Sequence, residues 1–97
     1  MSVFPPEEKY GLSSQIKRSV ISIASNIAEG AGRNSNNEFK HFLGVANGSA
    51  FELQTQLIIA QNLRLITLED ADRLCNQIEE IQKMIFGFLN KFNHVNK

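Results

Sequence analysis

The sequence predicts an all-α fold, an antiparallel up-and-down helical bundle. Three observations predict it. Apolar residues recur at three- and four-residue spacings along three long stretches. The only prolines, Pro5 and Pro6, sit near the start, so nothing beyond Tyr10 forbids helix. No strand-type alternation of apolar and polar residues occurs, and Asn47-Gly48 falls inside a helical pattern rather than between two β-branched runs.

The first helix is expected over residues 13–32. Ile16, Val20, Ile23, Ile27 and Ala31 form one stripe on a 3.6-residue period. Gly30 and Gly32 lower helix propensity there and supply the stop, and residues 33–35 form the turn. Ser35 opens the second helix. Ser35-Asn36-Asn37-Glu38 fits a capping box, in which the Ser hydroxyl accepts from the N3 amide and Glu38 reaches back. This helix is expected over residues 36–66, with Phe39, Leu43, Ala46, Ala50, Leu53, Leu57 and Ala60 as its main stripe. Val45, Ile59 and Leu63 add a second apolar flank, and Phe51, Ile58 and Leu65 a third. A helix apolar nearly all round needs cover on more than one side.

Thr67 caps the third helix, expected over residues 68–93, with Glu69, Asp70 and Asp72 near the positive end of its dipole. Its stripe is Ala71, Leu74, Ile78, Ile81, Ile85, Phe88 and Phe92. Glu69, Asp72, Asn76, Glu79, Glu80, Lys83 and Asn90 take the wet face, and His94 to Lys97 are expected to fray. Val3-Phe4 and a short helix over residues 6–10 are expected at one end. Short connections between long helices force antiparallel neighbours, and three such helices leave a groove where a fourth would lie.

Composition bounds the function classes. The chain has 97 residues and a mass of 10.9 kDa, the size of one domain spanning 1–97. Ten basic side chains balance ten acidic ones; residues 1–48 carry +1 and residues 49–97 carry −1. That excludes nucleic-acid binding through bulk field alone. No apolar run approaches the roughly 18 residues of a membrane span. The first residues lack the basic and apolar regions of a signal peptide. A single cysteine, Cys75, makes no internal disulfide, so a reducing cytoplasm is the expected setting.

Candidate chemistry is sparse. Gln15, Arg18, Ser22, Asn26, Glu29 and Arg33 form a polar stripe on the first helix, with Ser49 and Glu52 across the turn. An Arg–Glu–Asn network between packed helices, a solvated face and a ligand site are all open readings of it. Glu38 and His41 have the E-x-x-H spacing of di-iron bundles, but His94 has Lys91 three positions earlier, so the required second motif is absent. No metal and no cofactor is expected. Cys75 lies beside the core stripe as a small thiol without a base at helical spacing. Lys17, Arg18, Arg33 and Lys40, with Asn34, Asn36 and Asn37, read either as ordinary surface charge or as candidate phosphate contacts, without the interleaved aromatic residues of single-strand binders. Gly44, Gly48, Ser49 and Ala50 are expected to let a neighbouring helix approach closely.

Several elements together resemble a known family. They are Phe4-Pro5-Pro6-Glu7-Glu8-Lys9-Tyr10-Gly11-Leu12, Asn26-Ile27-Ala28-Glu29-Gly30, Arg33, Ser35 with Glu38-Phe39, and Gly48-Ser49 with Glu52-Leu53. In this order and spacing the chain resembles the four-helix-bundle family first met as proteins encoded within intervening sequences of bacterial 23S rRNA genes. Members usually carry a further long helix before Phe-Pro-Pro. Met1 stands three residues ahead of Phe4, so the resemblance implies three of the four helices here. It also implies ring-like homopentamers. A similar fold, the accessory protein of diversity-generating retroelements, implies contact with nucleic acid beside a reverse transcriptase. The expectation is a non-enzymatic homo-oligomeric module that binds RNA or a ribonucleoprotein; the alternative is a protein-binding bundle with no nucleic-acid contact.

Overall fold

The computed structural model describes residues 11–95, and side-chain surroundings for residues 11–91. The expected Val3-Phe4 contact, the short helix over residues 6–10 and the Phe92 side chain lie outside the described residues. Three helices follow in order: α1 (Leu12–Ala31), α2 (Asn36–Asn62) and α3 (Leu68–Val95). Among the described residues there is no strand. The molecule measures 48 × 20 × 16 Å, with a radius of gyration of 15.2 Å. A compact domain of this length has about 12–13 Å, so the bundle is long and thin.

The α2 stripe is buried along Leu43, Ala46, Ala50, Leu53, Leu57 and Ala60. It packs against Leu12, Ile16 and Ile23 of α1 and against Ala71, Ile78 and Ile85 of α3. α2 touches both other helices, more extensively α1, while α1 and α3 do not pack on one another. The groove expected from a three-helix bundle is therefore present, on the α2 face between α1 and α3.

Both expected N-caps form. Ser35 Oγ accepts from the Glu38 amide at 3.1 Å and Thr67 Oγ1 from the Asp70 amide at 3.0 Å. The second half of the capping box is replaced, because the Glu38 carboxylate turns to Arg33 at 3.9 Å. α1 starts without a side-chain cap, on Gly11 at φ 66°.

Several expectations are corrected. Val20 and Ala31 leave the α1 stripe: both are exposed, and Ser19 takes the buried position between Ile16 and Ile23. Phe88 is half exposed rather than core, and α3 continues to Val95 rather than ending near Asn93. Gly32 holds an ordinary right-handed conformation, so its freedom does not stop α1; Gly30 instead sits where a Cβ would lie 2.8 Å from Phe42 Cβ and 2.9 Å from Phe39 Cδ1. A Cβ at Gly44 or Gly48, by contrast, meets nothing within 4 Å, so neither glycine admits a neighbouring helix within the protomer.

α2 also ends at Asn62, four residues before Ile66. The apolar period runs on, but the chain closes a Schellman turn. The Leu65 amide donates to Ala60 O at 2.8 Å and the Arg64 amide to Gln61 O at 2.9 Å. Arg64 holds the left-handed position at φ 62° without being glycine. Turning the chain there lets Ile66 bury itself.

Arg64→Gly is expected to stabilise the fold by about 0.5–1 kcal/mol through relief of the left-handed strain, read as a higher urea midpoint with unchanged slope. Gly30→Ala is expected to cost about 1–3 kcal/mol, overpacking outweighing the gain in helix propensity. A thermal melt at or above wild type would show that the α1–α2 approach at Gly30 is not tight.

Candidate functional site

Polar groups gather along one α1–α2 seam. Ser19 is buried and donates to Gln56 Oε1 at 3.1 Å; Gln56 Nε2 donates in turn to Glu52 Oε1 at 3.3 Å. The Ser22 and Ser49 hydroxyls meet at 2.7 Å, and Asn26 Nδ2 donates to Ser22 O at 2.8 Å and to Ser22 Oγ at 3.2 Å. Gln15, Arg18, Ser19, Ser22, Ser49 and Glu52 line a shallow cleft of about 210 Å³. The network is thus one of hydroxyls and amides, and the expected Arg–Glu–Asn link between helices is replaced by Ser–Ser and Ser–Gln. The Ser22 and Ser49 hydroxyls meet directly, while the longer Gln56 reaches across to Ser19. Ser19 and Gln56 were missed, although each sits at stripe spacing, Ser19 between Ile16 and Ile23 and Gln56 between Leu53 and Ala60.

The α1–α2 turn gathers the rest. Arg33 Nη2 lies 2.6 Å from Glu29 Oε1, and its guanidinium sits 5.1 Å from the centroid of the Phe42 ring. His41 meets the same ring edge-on at 5.3 Å. Glu29, Gly30, Arg33, Ser35 and Glu38 thus gather at the joint between the two helices, while Asn26 bonds Ser22 of its own helix. Glu29, Arg33 and Glu38 are exposed, so these ion pairs contribute little.

The four candidate phosphate contacts do not form one patch. Lys17 and Arg18 stand near the start of α1, about 24 Å along the helix from Arg33. They are adjacent in sequence and so point about 100° apart; Arg18 lines the polar cleft. Arg33 is engaged by two carboxylates. No ion pair reaches Lys17, Arg18 or Lys40 among the described residues.

On α3, Gln82 is buried and donates to Gln54 of α2 at 3.4 Å. Cys75 is half-buried; burial pushes its thiol up from the ordinary value, and the neighbouring carboxylates of Glu79 and Asp72 add to the rise. That keeps the thiol protonated and a poor nucleophile. Among the described residues no three His, Cys, Asp or Glu side chains gather as a metal site, and no helix is long and apolar enough to cross a membrane.

A larger concave feature among the described residues is apolar. Val20, Ile23 and Ile27 of α1, Leu53 and Leu57 of α2, and Leu74, Ile78, Ile81 and Met84 of α3 line a groove of about 470 Å³. The features that could act on a partner are thus faces of helices, and what they define is an all-α, up-and-down helical module. The chain belongs to the family of the 23S rRNA-intervening sequence protein, whose model matches residues 1–87. No curated protein matches it.

Gln56→Ala is expected to destabilise by about 1–3 kcal/mol, because it strands the buried Ser19 hydroxyl. Adding Ser19→Ala removes the stranded group, so the double variant should cost clearly less than the two single costs added. Strict additivity in a chemical-denaturation cycle would place the two side chains out of contact.

Proposed function

We propose that this protein is a non-enzymatic helical module of the cytoplasm that works as a homo-oligomer. The observation that carries this reading is its exposed apolar surface. Among the described residues eleven large hydrophobic side chains stand exposed, four of them, Val45, Phe51, Ile58 and Ile59, on α2, with Leu63 at its C-cap. Surface hydrophobic residues scattered singly need no explanation, but two exposed apolar flanks on one helix, Val45, Ile59 and Leu63 on one and Phe51 with Ile58 on the other, mark interaction faces. The polar groups support the same reading: they bond to one another across helices rather than converging on a reacting atom.

Contact with RNA or a ribonucleoprotein is the second reading. It draws on Lys17, Arg18 and Lys40, which have no carboxylate partner among the described residues. Arg33, held by Glu29 and Glu38, is a weaker member of that set. A bundle with protein contacts alone differs from it in salt response, since phosphate contacts release counterions.

Light scattering at micromolar concentration is expected to return more than one chain mass, and a monomer would end the oligomeric reading. With an RNA probe, binding that weakens steeply between 50 and 200 mM salt, and that Lys17→Glu with Arg18→Glu and Lys40→Glu abolishes, supports the second reading. Absence of binding at low salt leaves the protein-only module.

A further inference from the structure

The polar cleft between α1 and α2 holds more hydrogen-bonding capacity than the fold uses. Its lining includes Ser19, which is 5% exposed and is held by Gln56, itself 7% exposed. Gln56 passes a donor on to Glu52 Oε1. That chain of bonds takes one carboxylate oxygen of Glu52 and leaves the other without a donor among the described residues. The Ser22 and Ser49 hydroxyls share one bond at 2.7 Å. Whichever of them donates, the proton of the other stays uncommitted, because Asn26 comes to Ser22 as a donor too.

Arg18 completes the set. It lines the cleft from α1 as Glu52 lines it from α2, yet no ion pair joins the two. Opposite charges thus stand on the two banks of a polar space of about 210 Å³. That is below the roughly 300–1,000 Å³ of a drug-sized pocket. We infer that this cleft binds a small zwitterion of the α-amino-acid type. Its carboxylate goes to Arg18 and the spare hydroxyl proton, and its ammonium goes to the free oxygen of Glu52. The inference goes beyond the oligomeric reading and does not rest on it.

Charge selects this class over others. A phosphate in the cleft would meet Arg18 but face the Glu52 carboxylate, and a simple cation would meet the reverse. A molecule that carries both charges close together leaves neither bank unpaired, and both of its bonds are charge-assisted. Depth limits the ligand as well. The cleft is shallow, so a side chain on the ligand projects into water. The site therefore reads the α-amino and α-carboxyl groups, and amino acids that differ only in side chain bind alike. Arg18 and Glu52 are both exposed, so water competes for each contact and the affinity is millimolar.

The test is a titration of the full chain with L-alanine, read by backbone amide chemical shifts. Saturable shifts at Ser19, Ser22, Ser49 and Glu52, with millimolar half-saturation, are the expected result. Propionate keeps the carboxylate alone and ethylamine the ammonium alone, and each is expected to bind at least fivefold more weakly. Arg18→Gln and Glu52→Gln are each expected to weaken alanine binding by a similar factor, with a wild-type-like thermal melt. Glutamine at position 52 keeps an acceptor for Gln56, so the bonds of the cleft survive that change. Propionate binding as tightly as alanine would reduce the cleft to an anion site at Arg18 and overturn the proposal. Tighter alanine binding by Glu52→Gln would overturn it too, since the carboxylate would then be a competitor that closes on Arg18. Shifts that grow linearly with alanine, or that fall outside the cleft, leave no site and overturn it outright.

Discussion

α2 carries three small residues, Ala46, Ala50 and Ala60, among the larger Leu43, Leu53 and Leu57, and all six are buried. Small groups at this spacing let neighbouring helices lie close, and the interspersed leucines fill the space between them. The rest of the architecture depends on this strip. α1 and α3 are held because each finds α2, and they never find each other. At Gly30 the approach becomes close enough that Phe39 and Phe42 stand where a side chain would be. The turn follows from that proximity: residues 32–35 have only to carry the chain across, and Arg33 closes over Phe42 once it is there.

A fold organised about one central helix has two consequences for function. Many of its polar side chains are spent on the α1–α2 contact, where Ser19 bonds with Gln56 and Ser22 with Ser49. Little remains to hold a substrate, and the cleft among them is shallow. The second consequence is that the face of α2 turned away from its neighbours and the groove between α1 and α3 are left in water. Both are apolar and both run with the helix axes. The molecule therefore meets other macromolecules through long surfaces rather than through a pocket.

The helices were legible in the sequence because spacing reports burial directly: every residue assigned to the α2 stripe is buried or partly buried. The caps at Ser35 and Thr67 were legible because their hydroxyls have one short-range task. What escaped depends on partners distant in sequence. Ser19 and Val20 fit the α1 period about equally, and hydropathy favours Val20. The structure buries Ser19 because Gln56, 37 residues away, supplies its hydrogen bond. Arg64 escaped for a related reason: a left-handed turn normally announces itself with glycine or asparagine, and here tertiary packing imposes it on arginine. The basic residues flank one turn in the sequence and are not close in space, since consecutive helix positions diverge and α1 separates Lys17 from Arg33.

Size and shape bear on what the open faces mean. A domain near 100 residues buries only about 60–65% of its unfolded surface, and a thin rod buries less than a sphere of equal mass. The conformational entropy to be offset depends on residue number and not on shape. An elongated bundle of this length thus starts with a weaker core than a compact one. Any association that covers apolar surface present only in the folded protomer adds to folding by mass action. The glycines at 44 and 48 show the same asymmetry at single residues. They weaken the isolated helix, and their lack of side chains has value only when another backbone comes near. Protomer stability and assembly are in this sense set by different faces of the same helix.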